Sequence, residues 1–338
     1  MPIYELIKEQ WTLRQAPLLG ARKNTVTPHR MSSTEGGKNI GGLNLVPTTW
    51  AAVQPTDQIY IPPKSASDGT SASSSSRLAI TYEDRLKTVP LEANGRTLKI
   101  AVYCPKVTAL PNETVQQRIS RMKDALQAAA NVTADIFVGP EYFFTKNTSQ
   151  LNAPNSGANH TYTAEEFLAV NMAIIEMGEQ HKSMLIIPGT TLWKNNANEV
   201  RNTGYVCHYL DSGRAHSKKT SHHEVEYAQA AGGQYTPGAS SQYDFEFQSL
   251  RARYEICSDV GQAGNAGNGK ELHIISGFTF GGGMPSHAHH GGVEILSDGG
   301  DGDGRIERPF EFKPKTATND DRLIVSNMEV KKAANPQT

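Results

Sequence analysis

An α/β fold is predicted by three observations: apolar runs of strand length, apolar residues at helical spacing between them, and turn residues that close each run. LKIAVY (98–103) is a compact run suited to a buried strand. Pro111 and Asn112 then supply a helix start with Asn112 as N-cap, and Val115, Ile119, Met122 and Leu126 follow at helical spacing. DIFVGPE (135–141) reads as a second buried strand. Thr163 and Glu166 form a capping box, and Phe167, Val170, Ile174 and Met177 mark one face of a second helix. MLIIPG (184–189), GYVCHYL (204–210), RARYEIC (251–257) and LHIISGF (272–278) read as further strands.

The first 95 residues differ. KSASDGTSASSSSR (64–77) is serine-rich and of low complexity, which predicts a flexible segment. The expected organisation is an N-terminal extension over 1–95, a domain over 96–330 and a tail over 331–338.

The 338 residues carry a formal net charge of −1, so no electrostatic footprint for nucleic acid or an anionic membrane is expected. Three widely spaced cysteines, Cys104, Cys207 and Cys257, make neither a disulfide framework nor a zinc ribbon. The start MPIYELIKEQWTLRQ has no signal-peptide core, and no run of 18 apolar residues occurs. A reducing, cytoplasmic setting is expected; the serine-rich start also fits export as a bacterial effector without a classical signal peptide.

In α/β sheets reactive groups sit beyond the carboxyl ends of strands. There the sequence puts Glu141 after DIFVGP, Lys218 and Lys219 after GYVCHYL and its turn, and Cys257 after RARYEI. A lone cysteine at a strand end is ordinarily a small buried hydrophobe, a glutamate after a strand a solvated residue, and a KK pair a surface turn. Together they make a different chemistry: a carboxylate to take the thiol proton, an ammonium to hold developing negative charge, and sulfur as nucleophile. Cys104 and Cys207 lie inside apolar runs and read as core.

VGPEYFF (138–144), NTGYV (202–206), SKKTSHHEVEY (217–227), TPG (236–238) and YEICSD (254–259) occur in an order that resembles the nitrilase superfamily of carbon–nitrogen hydrolases. The likeness spans about residues 97–330. It implies an αββα sandwich and hydrolysis of an amide-type bond through a cysteine thioester, with no cofactor and no metal. It implies Glu141 as general base, Cys257 as nucleophile and a lysine as oxyanion-stabilising cation. Lys219 is preferred to Lys218 because Lys-Thr-x-His is closer to the family's pattern. A second glutamate, Glu226 in preference to Glu224, would orient the lysine or position the hydrolytic water. The backbone N–H of Ser258 would be a second oxyanion donor, with Tyr142, His222 and Phe278 at the substrate. A small-molecule amide is the implied partner, and a homodimer the expected assembly. The competing reading is a catalytically silent nitrilase-fold binding module, or a bacterial effector acting through its N-terminal arm.

The sequence departs from the family after the cysteine, where VGQAGNAGNGKE (260–271) replaces the usual aromatic or Arg-Phe-Pro-Glu stretch, and again at GGGMPSHAHHGG (281–292). His287, His289 and His290 in the latter lack carboxylate or cysteine partners at ligand spacing, so a loop is expected and not a metal site. DGGDGDG (298–304) does not fit a calcium loop and reads as a tight hairpin turn before RIERPFEF (305–312).

Overall fold

A computed structural model describes residues 79–82 and 95–332, except 154–155, 209–213, 222, 263–268, 281–287 and 310–321. The serine-rich segment, His222 and His287 lie outside these residues. The first sheet has the order β1(Ala79–Tyr82), β14(Arg322–Lys331), β2(Gly95–Tyr103), β3(Ile136–Val138), β4(Leu185–Ile187). The second has the order β13(Asp303–Glu307), β12(Ala288–Asp298), β11(Lys270–Gly277), β10(Leu250–Ile256), β9(Tyr243–Phe247). A smaller sheet joins β5(Thr190–Lys194), β6(Glu199–Val206) and β7(Arg214–Ser217), with the short β8(Gln234–Tyr235) beside β6.

Side chains alternate across a strand, so one residue in two on each sheet faces the partner sheet. Leu98, Ile100 and Val102 of β2, with Ile136, Val138, Leu185 and Ile187, meet Ala252, Tyr254, Ile256, Leu272, Ile274, Val293 and Ile295 in one buried layer. The alternate residues Ala101, Tyr103, Phe137 and Ile186 face the other way, onto α1(Val115–Asn131) and α2(Ala164–Gln180). Each fully buried large apolar side chain contributes about 1.5–3 kcal/mol, and these two layers hold most of them.

Both long helices start on capping boxes. Thr163 and Glu166 form one, as the sequence predicts. The other differs from expectation. Thr114, not Asn112, is the N-cap of α1, because Gln117 three residues on can reach back to its backbone N–H. A third helix, α3(Glu224–Ala230), packs on β6 and β8.

The outer face of the second sheet is different. Arg251, Arg253 and Glu255 alternate there with core residues of β10, and Glu271 and His273 with those of β11. Arg253 is bidentate to Asp244, at 2.8 and 3.1 Å. Arg251 pairs with Glu271 at 3.0 Å, and His273 Nε2 lies 2.7 Å from Glu255. The three described α-helices pack mainly on the first sheet or on the small sheet.

β1 belongs to the stretch read as an N-terminal extension, yet it pairs in parallel with β14 from Ala79↔Arg322 to Tyr82↔Val325. The DGGDGDG turn is a hairpin, with Asp298 opposite Asp303 in the β12–β13 register. Cys104 and Cys207 are buried. Among the described residues no helix is long and apolar enough to cross a membrane.

Candidate active site

β3 runs parallel to β2 and β4, and β10 parallel to β11, so the loops leaving β3 and β10 emerge from carboxyl ends. They meet at one place. After β3 the chain turns through Gly139 and Pro140 to Glu141, which is fully buried and tied by its N–H to the carbonyl of Gly277 at the end of β11. After β10 comes Cys257, which begins a one-turn 3-10 helix, Cys257–Asp259.

Lys218 lies between them. It is 1% exposed, and its Nζ donates to Glu141 Oε1 at 2.8 Å and to Glu224 Oε1 at 2.6 Å. Lys219, favoured on sequence pattern, is exposed and takes no part through its side chain. The reason is alternation. His216 and Lys218 point inward from β7 and its continuation, so Lys219 points out. What Lys219 contributes is its backbone N–H, which donates to Asp259 Oδ2 at 2.8 Å, while Thr220 N–H donates to Oδ1 at 2.6 Å. Asp259 thereby clamps the lysine loop to the cysteine loop.

The second carboxylate is Glu224, not Glu226. Glu224, Tyr227 and Ala228 form the buried face of α3 at i, i+3 and i+4 spacing. Glu226 is on the other side, only half-buried, and makes no ion pair with the lysine. Glu224 Oε1 collects three donors: Lys218 Nζ, Tyr142 Oη at 2.5 Å and Asn202 Nδ2 at 3.3 Å. Asn202 also donates to Glu141 Oε1 at 2.8 Å. Its place on β6 is signalled in sequence by NTGYV, but its bonds to both glutamates were not predicted.

The Cys257 thiol and the Glu141 carboxylate are close enough for each to shift the other's proton affinity. Its Sγ is also 3.6 Å from the carbonyl oxygen of Phe278. Glu141 Oε2 is buried with no conventional hydrogen-bond partner. Phe278 and Tyr142 are both buried and meet edge to face at 5.3 Å and 77°, and Lys218 Nζ stands 5.8 Å from the centroid of Tyr142. They thus wall the acid–ammonium pair. Ser258 Oγ is buried beside Cys257 without a partner.

Three non-glycine residues here have left-handed backbones: Tyr142 at φ +57°, Cys257 at +44° and Thr279 at +53°. Such conformations cost on the order of 1–3 kcal/mol and persist where the surroundings fix them, as at functional sites.

The charges explain the protonation states. Burial raises Glu141 to about 7; Lys218 pulls it down and Glu224 pushes it up. Burial acts to lower Lys218, but Glu141 and Glu224 outweigh it and hold the ammonium protonated well above its ordinary range. Burial pushes the Cys257 thiol up, Glu141 adds to the rise, and Lys218 opposes it. One cation serving two carboxylates leaves no charge to spare for a resting thiolate. Such an arrangement can pass a proton from sulfur to carboxylate, and does not favour a permanent thiolate–ammonium pair.

Among the described residues no group of three His, Cys, Asp or Glu side chains could hold a metal ion. His289 Nε2 is 2.7 Å from the carbonyl oxygen of Lys331.

No protein-family model matches the sequence, and no curated protein matches it. Solved structures do match. One is a double mutant of the amidase from Nesterenkonia sp. AN1, in complex with acrylamide: TM-score 0.52, 15% identity, covering 72% of this chain and 92% of that one. Another mutant of the Nesterenkonia sp. AN1 amidase, in complex with butyramide, gives a TM-score of 0.50 at 15% identity, covering 70% and 92%. A third mutant, described as a Nesterenkonia AN1 amidase from the nitrilase superfamily, gives 0.50 at 14% identity, covering 69% and 90%. With two facing sheets, helices on the first, and reactive side chains at strand ends, this chain has the fold of the nitrilase superfamily.

Proposed function

We propose that this protein is a carbon–nitrogen hydrolase that cleaves an amide-type bond of a small molecule through a cysteine thioester. The observation that carries the reading is the buried cluster of Glu141, Lys218 and Glu224, with Glu141 and Lys218 acting on the Cys257 thiol, from three separate stretches of chain. That two structural neighbours hold acrylamide and butyramide supports an amide as substrate.

In this reading Glu141 accepts the thiol proton as sulfur attacks the carbonyl carbon. The new C–S bond forms while the C=O electrons move to oxygen. The Lys218 ammonium and the Ser258 backbone N–H, which has no intrahelical acceptor in the first turn of its 3-10 helix, stabilise the oxyanion. Collapse breaks the C–N bond, Glu141 returns the proton to nitrogen, and ammonia or an amine leaves. Glu141 then deprotonates a water that attacks the thioester, releasing a carboxylic acid and the free thiol. Glu224 holds the ammonium in place, with Tyr142 and Asn202 as its other donors.

The test is ammonia release from simple amides, with mass spectrometry of the acylated enzyme. Cys257→Ala should lower turnover by ~10³-fold or more and abolish the acyl adduct. Iodoacetamide should label Cys257 ahead of Cys104 and Cys207. Turnover that survives Cys257→Ala would remove the nucleophile assignment. An unaltered chain with neither turnover nor selective labelling would favour the silent binding module.

A further inference from the structure

We propose that Asp298 is a positioning residue for this site: it holds the Phe278 carbonyl against the Cys257 thiol and seats its hairpin against Glu141. The inference rests on the reading of Cys257 as nucleophile.

Asp298 is the last residue of β12, fully buried, in the glycine-rich turn that the sequence marks only as a hairpin. A carboxylate with a purely local task would bond the N–H groups of its own turn. Asp298 does so at Gly300 N, 2.8 Å, and Asp301 N, 3.4 Å. Its two other bonds leave the turn. Oδ1 accepts from Thr279 N at 2.8 Å and Oδ2 from Phe280 N at 2.7 Å. Those N–H groups follow directly on Phe278, whose carbonyl accepts from the Cys257 thiol at 3.6 Å and from Thr279 Oγ1 at 2.7 Å. Thr279 is held at φ +53°, a strained conformation that these bonds maintain.

The next two residues bind the other half of the site. Gly299 N–H donates to the Gly277 carbonyl at 2.9 Å, and the same carbonyl accepts the N–H of Glu141 at 3.2 Å. A Cβ on Gly299 would stand 3.0 Å from Pro140 Cβ, and one on Gly300 2.3 Å from Thr279 N. Residues 298–300 therefore touch at once the acid loop and the Phe278–Phe280 segment that faces the thiol, the two glycines at distances that only glycine allows.

Asn has one acceptor oxygen where Asp has two, so Asp298→Asn cannot serve both loop N–H groups. Its kcat should fall ~10–100-fold with KM changed less than about threefold, since the loss falls on the alignment of the reacting groups. The rate of iodoacetamide labelling at Cys257, per folded molecule, should fall in parallel. Should Asp298→Asn not fold, Thr279→Val decides. It removes only the hydroxyl on the Phe278 carbonyl at an exposed position, and should lower both rates about threefold or more with an unchanged melting temperature. Asp303→Asn is the control: its carboxylate bonds Arg305 in the same hairpin, and both rates should stay within twofold. Unchanged rates in Asp298→Asn and Thr279→Val while Cys257→Ala is inactive would overturn the positioning role alone, as would an equal loss in Asp303→Asn. Turnover surviving Cys257→Ala would instead overturn the functional reading beneath it.

Discussion

Two polar clusters, one on the outer face of the second sheet and one beyond the carboxyl ends of β3 and β10, are built differently. On the outer face of that sheet, acids are met by permanent cations, Asp244 by Arg253 and Lys270 and Glu271 by Arg251, while His273, lowered to about 4 by burial, meets Glu255 as a neutral hydrogen-bond partner. In the candidate site one ammonium serves two buried carboxylates, a thiol leans on one of them, and a carboxylate oxygen is left over. Mutual neutralisation is what a sheet face needs for stability. Imbalance is what proton transfer needs, because a group already satisfied has no reason to exchange a proton.

The sharpest way to break this comparison is at the lysine. Lys218→Ala should abolish turnover and destabilise the fold by ~3–5 kcal/mol, since it strands two buried carboxylates. Lys219→Ala, one residue on, should change stability by less than ~0.5 kcal/mol and turnover by less than twofold, because its side chain is exposed. Paired denaturation curves and amide assays check both. Glu141→Gln should lower kcat ~10²–10⁴-fold.

The same residue gives a pH signature with two opposite signs. A base must be ionised, so turnover should rise with pH through about 7, and Glu141→Gln should lose that limb. Stability should move the other way. A carboxyl raised from 4.5 to about 7 in the folded state binds its proton more tightly there than when unfolded. Its contribution therefore falls as pH climbs from about 4.5 to 7 and is flat above. Denaturant midpoints across that range measure it, and a stability that climbed there because of Glu141 would contradict the assignment. Glu224→Gln should cost activity ~10–100-fold and Glu226→Gln almost nothing, because only the first touches the lysine. The smallest effect belongs to the outer face: Arg251→Ala should cost under about 1 kcal/mol, its side chain being 45% exposed, with turnover unaltered.

How far the sequence reached follows the same divide between local and non-local information. The apolar runs of β2, β3, β4, β10 and β11, the Thr163–Glu166 cap and the hairpin at 298–303 depend on neighbours in the chain and are legible there, whereas β12 and β14 are not read from it. The order Glu141, lysine, Cys257 is legible too, since the glutamate and the cysteine each end an apolar run and the lysines follow GYVCHYL and its turn. The choice within Lys218–Lys219 depends on which phase β7 takes against β6, and RAHSKK has no apolar alternation to reveal it. Glu224 outranks Glu226 only once α3 has a buried face, fixed by Tyr227 and Ala228. Asn112 and Thr114 are both good caps, and the tie is broken by Gln117. The bonds of Asn202 and Asp298 join residues far apart in the chain, beyond any local pattern.

The pairing of Ala79–Tyr82 with β14 has a practical consequence for anyone shortening the chain. A version starting at residue 96 would strip a border strand and leave a row of unmatched amides along Arg322–Val325, an open template for self-association. A shortened chain therefore has to keep the four residues AITY.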